Sequence, residues 1–319
     1  MCMTNVTRII TSQAPLVLKN LNGLICVHKP SERSVKSVRK IIAANICNEL
    51  NKLEVRPPTT HVSIVGDTTK ELDVQVKPSF ADHPAVVGPR YIPEELYVST
   101  GNFLGYHTSG VLVLGLQNLG SKKTKFLRNA SLLRTYQLKG KLGVATANFF
   151  VDGKVLFRGR YDYITRDAVD KVAATMEALH RKVIFDLCSV DPRSQTAYDW
   201  ASKGLLRPFK TQSPVIYGIK CVDYSPPEFT VEVQCTNETE EFLIELISQL
   251  AAKLRTAAAC VQIKCIRFSH FDIDDALLNK HWSLQHFLDS VLDGNTKYQK
   301  IRDTISPTLV NLQSEETST

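Results

Sequence analysis

Residues 101–115 read GNFLGYHTSGVLVLG, and the rest of the chain is best read outward from them. The run Val111 to Leu116 is continuously apolar. A short run of this kind predicts a central strand buried on both faces. The glycine-punctuated half before it predicts a loop. No Asp or Glu occurs from Leu96 through Val151, although Glu94, Glu95 and Asp152 flank that window. The loop therefore has no carboxylate of its own.

The chain has 319 residues, 43% hydrophobic and 22% charged, enough to bury a full core in one large domain or one domain plus a small appendage. No apolar run approaches the roughly 18 residues a membrane-spanning helix needs. A net charge of +7 suits a polyanionic partner. The eight cysteines have neither CxxC nor Cys/His zinc spacing. Scattered among apolar neighbours, they read as buried reduced thiols, with no metal and no cofactor expected. The first 31 residues hold no acid and carry Arg8, Lys19 and Lys29. That composition fits a mitochondrial presequence over residues 1–20 and equally fits a frayed N-terminus.

Leu16 to Val27 reads as strand and turn around Asn22-Gly23. Ser34 starts a helix to about Glu54, with Val38, Ile41, Ile42, Ile46, Leu50 and Leu53 at helical spacing. Two short strands follow, His61 to Val65 and Leu72 to Val76. Tyr136, Leu138, Gly140 and Leu142 alternate as a half-buried strand. Thr165 caps a helix carrying Val169, Val172, Ala173, Met176 and Leu179. A short helix over Thr196 to Lys203 closes at Gly204. Val215 to Val222 and Phe229 to Gln234 form a hairpin. Phe242 to Leu254 is a helix and Val261 to Arg267 a strand. Two short helices close the domain before residue 293, and Gly294 onward reads as a loose polar tail. The mixture without strict βαβ alternation predicts an α+β fold on a mainly antiparallel mixed sheet flanked by helices.

The segment 101–115 resembles the catalytic segment of the TruB family of pseudouridine synthases, Gly-His-x-Leu-Asp-x-x-Ala-Ser-Gly-Val-Leu. Gly101, Leu104, Ser109, Gly110, Val111 and Leu112 match, and Gly105 stands at the position of the catalytic Asp. The resemblance runs from about Leu21 to Leu292. It includes Gly23 to Pro30 with its closing Lys29-Pro30, Arg134-Thr135-Tyr136, Leu142-Gly143-x-Ala145-Thr146, Gln195 to Tyr198, Gly204 to Pro208, Pro226 to Phe229, Val233 to Cys235 and Thr256 to Ala258. Val76 to Pro84 and Val87-Gly88-Pro89 are similar to an insertion in the mitochondrial TruB-like branch of animals. Nothing resembles the C-terminal PUA domain of bacterial members.

The resemblance implies the TruB-like fold over residues 21–293 and a site that flips a uridine out of its RNA. It also implies that the site has lost its reacting group, because Gly105 has no side chain. Asn102 replaces the motif His, and Phe103 the basic residue beside it. Ser213 stands where the Arg that pairs with the Asp is expected. Lys264-Cys265 replaces an Arg pair, and Glu238-Thr239-Glu240-Glu241-Phe242 replaces Gly-Thr-Tyr-Ile-Arg. Lys122, Lys123, Lys125, Arg128, Arg134, Lys139 and Lys141 lie within twenty residues without an intervening acid. They read as phosphate contacts or as a solvated basic helix face. Tyr136 and Tyr198 are RNA-site candidates, Tyr136 as the residue that packs on the flipped base or as a core tyrosine. Lys29 supports the pocket or ends a surface strand, and His107 touches RNA or solvent.

The resulting expectation is an inactive RNA-binding homologue in the mitochondrial matrix, bound to mitochondrial rRNA, tRNA or mRNA. Mitochondrial ribosomal proteins or RNA-granule components are further partners, and no membrane is. The alternatives are an active synthase whose acid comes from a distant segment and a ribosome-associated assembly protein.

Overall fold

The computed structural model describes residues 13–54, 60–66, 72–79, 84–188, 190–202 and 213–316. Gly204 to Pro208, Phe80 and His83 lie outside these residues, as do positions 1–12. The elements are α1 (Ala14–Asn20), β1 (Gly23–Lys29), α2 (Val35–Leu50), β2 (Thr60–Val65), β3 (Asp73–Pro78), α3 (Pro84–Val87), β4 (Val98–Thr100), β5 (Thr108–Leu116), α4 (Gln117–Asn129), β6 (Arg134–Leu142), β7 (Val144–Thr146) and β8 (Val155–Arg158). They continue as α5 (Arg166–Leu187), α6 (Gln195–Ser202), β9 (Val215–Ser225), β10 (Glu228–Thr236), α7 (Glu240–Lys253), β11 (Ala258–Phe268), β12 (Phe271–Asp272) and α8 (Leu284–Glu316).

An eight-stranded sheet runs β1-β5-β11-β6-β10-β9, with β4 on β5 and β12 on β11. Only the β5–β11 pairing is parallel, so the sheet is mixed and mainly antiparallel. β5 is buried at all nine positions, as its unbroken apolar run requires of an interior strand. β6 alternates, with Tyr136, Leu138, Gly140 and Leu142 buried. Thr165 accepts a bond from the Ala168 N–H and caps α5, and Val169, Ala173 and Met176 are buried beneath it. Leu179 faces outward on the same helix, 53% exposed. β2 and β3 pair with each other alone. Val62 opposes Val76 and Ile64 opposes Val74, all exposed to solvent, so the alternation there marks no buried face.

Three segments differ from their sequence reading. Residues 14–20 are helical, and the Ala14 N–H bonds the Glu54 carbonyl at 2.9 Å. Ala14 and Val17 are buried, so the folded unit reaches back at least to Gln13 instead of starting at Leu21. The stretch from Gly294 is the middle of α8. Phe287, Val291, Gly294, Tyr298 and Ile301 recur at helical spacing and pack against the core, a stripe hidden by the polar residues between them. Gly294 fits so closely that an added Cβ would lie 2.3 Å from the Leu24 carbonyl oxygen. Before α8, two short 3₁₀ turns at Ile273–Asp275 and Asn279–His281 take the place of the expected helices.

Candidate nucleic-acid interface and active site

The 101–107 loop leads into β5, and its two ends are fixed by different means. Asn102 is fully buried. Its amide donates to the Val111 carbonyl at 3.0 Å and accepts from the Val113 N–H at 2.8 Å, so it holds the loop against the strand. Gly110 has φ +115°, and a Cβ there would meet the Cys265 carbonyl oxygen at 2.0 Å. Only glycine allows β5 and β11 to approach this closely. Ser109 adds a bond from its hydroxyl to the Ile263 carbonyl at 3.2 Å.

The decisive contact comes from outside the loop. Thr239 caps α7 by accepting from the Phe242 N–H at 3.3 Å, and Glu240 and Glu241 occupy the first turn, where the helix dipole favours carboxylates. The Glu240 carboxylate enters the space beside Gly105. The His107 N–H donates to its Oε1 at 3.2 Å. The Thr108 N–H and hydroxyl donate to its Oε2 at 2.8 and 2.6 Å. A Cβ at residue 105 would lie 2.0 Å from that Oε2 and 2.2 Å from the carboxylate carbon. A carboxylate from α7 therefore occupies the volume that a residue-105 side chain would fill.

Lys29 ends β1 behind the same loop and is fully buried. Its ammonium donates to the carbonyls of Thr108, Tyr106 and Pro30 at 2.7, 3.1 and 3.1 Å. Burial lowers its pKa to about 8, against an opposing pull from Glu240. Lys29 thus fixes the loop from within; it does not end a surface strand.

A second acid from the same segment holds Arg134 and Tyr136. Arg134 Nη1 and the Tyr136 hydroxyl both donate to Glu238 Oε1, at 2.5 and 2.6 Å. Burial pushes the Tyr136 phenol well up, with Glu238 adding to it. The Arg134 guanidinium is lowered by burial but raised overall by Tyr136 and Glu238. Tyr136 is 2% exposed, so its ring has no face open to a base in this structure.

The other candidates divide. Lys122, Lys125 and Arg128 recur every third residue on α4 and are exposed. Arg128 lies 6.0 Å from the Phe103 ring. Lys123 turns inward to Asn295 Oδ1 at 2.6 Å, over the Tyr298 ring. Lys139 pairs with Glu228 at 2.6 Å, and Lys141 is half-buried on the same strand. Tyr198 stands exposed on α6. His107 is exposed and meets the Tyr106 and Phe150 rings at 5.1 and 4.6 Å between centroids. Phe103 and Tyr106 are 59% and 53% exposed, large values for aromatic side chains in one short loop.

Glu238, Glu240, Tyr106 and Phe150 were not singled out as site residues by the sequence. The available signal was Thr239-Glu240-Glu241 at a helix start. Among the described residues, no three His, Cys, Asp or Glu side chains gather closely enough to hold a metal ion. The described cysteines are free thiols, and all but the half-buried Cys188 are buried.

Residues 101–240 match the family model described as TruB family pseudouridylate synthase (N terminal domain). The chain is 37% identical over 278 residues to "Pseudouridylate synthase TRUB2, mitochondrial" of Xenopus tropicalis, covering 85% of each chain. It is 34% identical over 281 residues to the Homo sapiens protein of the same name, covering 86% of this chain and 84% of that one. This is the framework of an RNA-modifying enzyme class. The chain belongs to the TruB family of pseudouridylate synthases. The archaeal Nop10-Cbf5 complex aligns at TM-score 0.43 and 14% identity, over 86% of this chain and 55% of that one.

Proposed function

We propose that the protein binds RNA in mitochondria through the face formed by the 103–107 loop and α4. The observation that carries this reading is the exposed Phe103, Tyr106 and His107 beside the outward row Lys122, Lys125 and Arg128. Cations hold phosphates without reading sequence, and exposed rings stack unpaired bases. The TruB-family membership supports RNA as the partner, and uridine in mitochondrial rRNA, tRNA or mRNA as the element addressed. The relatives named mitochondrial and the acid-free first 31 residues support import into the matrix. Fractionation of cells expressing the full chain tests the location, with recovery in the cytosol as the contrary result. The binding reading is tested by titrating the protein against unmodified mitochondrial transcripts at several salt concentrations. Binding that weakens steeply with salt supports it, and weak, salt-insensitive binding favours an assembly role instead.

Residue 105 itself supplies no chemistry. The expectation of inactivity assumed further that no distant carboxylate reaches the loop, and Glu240 removes that assumption. A second reading, an active pseudouridine synthase, rests on that contact.

A further inference from the structure

We infer that Glu240 supplies, from the first turn of α7, the carboxylate that residue 105 lacks. The inference rests on the reading that RNA reaches the Gly105 face, and it assigns a residue to the chemistry there. Three observations carry it.

The first is position. The carboxylate carbon and Oε2 lie 2.2 and 2.0 Å from the point where a residue-105 Cβ would sit. The same functional group enters the same volume from a different element. The second is steric dependence. Any side chain at 105 would collide with Glu240, so the acid can hold this position only because residue 105 is glycine. The third is orientation. Three donors from His107 and Thr108 fix the carboxylate, two on Oε2 and one on Oε1. An ionised carboxylate offers about four acceptor sites, so Oε1 keeps one free. A fixed group with acceptor capacity left is what a positioned base or nucleophile needs.

The reaction balances with this group alone as the acid–base partner at the ribose. Glu240 takes the C2′ proton as the N1–C1′ bond breaks and its electron pair leaves with uracil. After the base turns, C5 bonds to C1′ and the proton returns from Glu240 to C2′. C5 then loses its proton and N1 gains one. The sum is an isomerisation, and Glu240 ends ionised as it began.

The test measures pseudouridine formation by the purified full chain on a pool of unmodified mitochondrial transcripts, with RNA affinity measured in parallel. The variants are Glu240→Gln, which keeps the size but removes the charge and turns an NH2 group toward one of the loop donors, and Glu240→Gly combined with Gly105→Asp, which clears the space beside residue 105 and returns the carboxylate to the loop. The parent is expected to form pseudouridine. Glu240→Gln should be about 10⁴-fold slower, the usual scale for loss of an essential group, with unchanged RNA affinity. The double variant should regain activity. Should Glu240→Gln fail to fold, Glu240→Asp replaces it and is expected to be active but slower, its carboxylate being one methylene short. A parent that binds the transcripts yet forms no pseudouridine overturns the inference and leaves Glu240 as a strut for the loop. So does a Glu240→Gln protein as fast as the parent, or a folded Glu240→Asp protein whose rate is unchanged. A parent that does not bind RNA overturns the reading beneath it instead.

Discussion

Gly105 and Glu240 form one structural unit, and their energetics should be coupled. Gly105→Ala places a methyl group in contact with the Glu240 carboxylate. Overpacking of this kind costs about 1–3 kcal/mol. In a Glu240→Gly background the same change should cost little, because the carboxylate and the Glu240 Cβ, 2.6 Å from the added methyl, are then both gone. Urea unfolding of the four proteins in a double-mutant cycle measures the coupling, and additive costs would mean that the two residues do not compete for space. Lys29 provides a second prediction at this scale. Its folded pKa of about 8 lies below the ordinary lysine value of 10.5. The unfolded chain therefore binds more protons between these values, and the Lys29 contribution to stability rises as pH climbs through that window. Unfolding of the parent against Lys29→Met from about pH 7 to 9.5 should show the difference moving in the parent's favour. A constant difference would refute the depressed pKa.

At the scale of elements, α7 both seals one part of the site and supplies another. Its N-cap Thr239 stands between Glu238, bound to Arg134 and Tyr136, and Glu240, bound to the loop. Thr239→Ala should cost about 1 kcal/mol by loss of the cap. It should also loosen both acids, seen as faster amide exchange at His107 and Thr108. Helix α8 makes the second prediction. Truncation after Leu292 would remove Gly294, Asn295, Tyr298 and Ile301 from the face of β1 and α4. Asn295 accepts from the Leu24 N–H and from Lys123, so polar partners are lost along with apolar contacts. A large fall in Tm is expected, whereas a loose tail would leave Tm unchanged.

At the scale of the whole molecule, charge is sorted by depth. The sequence places seven cations within one acid-free stretch, but tertiary packing divides them. Lys122, Lys125 and Arg128 remain outward, while Arg134 is bound to Glu238, Lys139 to Glu228 and Lys123 to Asn295. Replacing the three outward residues with Ala should lower the salt slope of binding to single-stranded RNA by about 2, at about 0.7 per phosphate contact, with Tm nearly unchanged. Lys123→Ala should instead lower stability, having little effect on that slope. An equal effect of all four substitutions on the slope would contradict this division.

Local pattern was enough to establish the α+β class, the buried β5, the capped α5 and the family motif around Gly105, because periodicity, caps and turn residues act over a few positions. The same kind of reading missed α8, whose apolar stripe is diluted by polar residues, and placed α1 in a strand beside Asn22-Gly23. The site was legible only in part. The acid-free window showed that the loop carries no carboxylate, and no local rule could show what fills the space beside Gly105. Glu240 lies 132 positions beyond its bonding partner Thr108, on a helix start that reads as an ordinary capped terminus. Only the sheet order, which brings β11 alongside β5 and sets α7 over it, puts that carboxylate next to a residue with no side chain of its own.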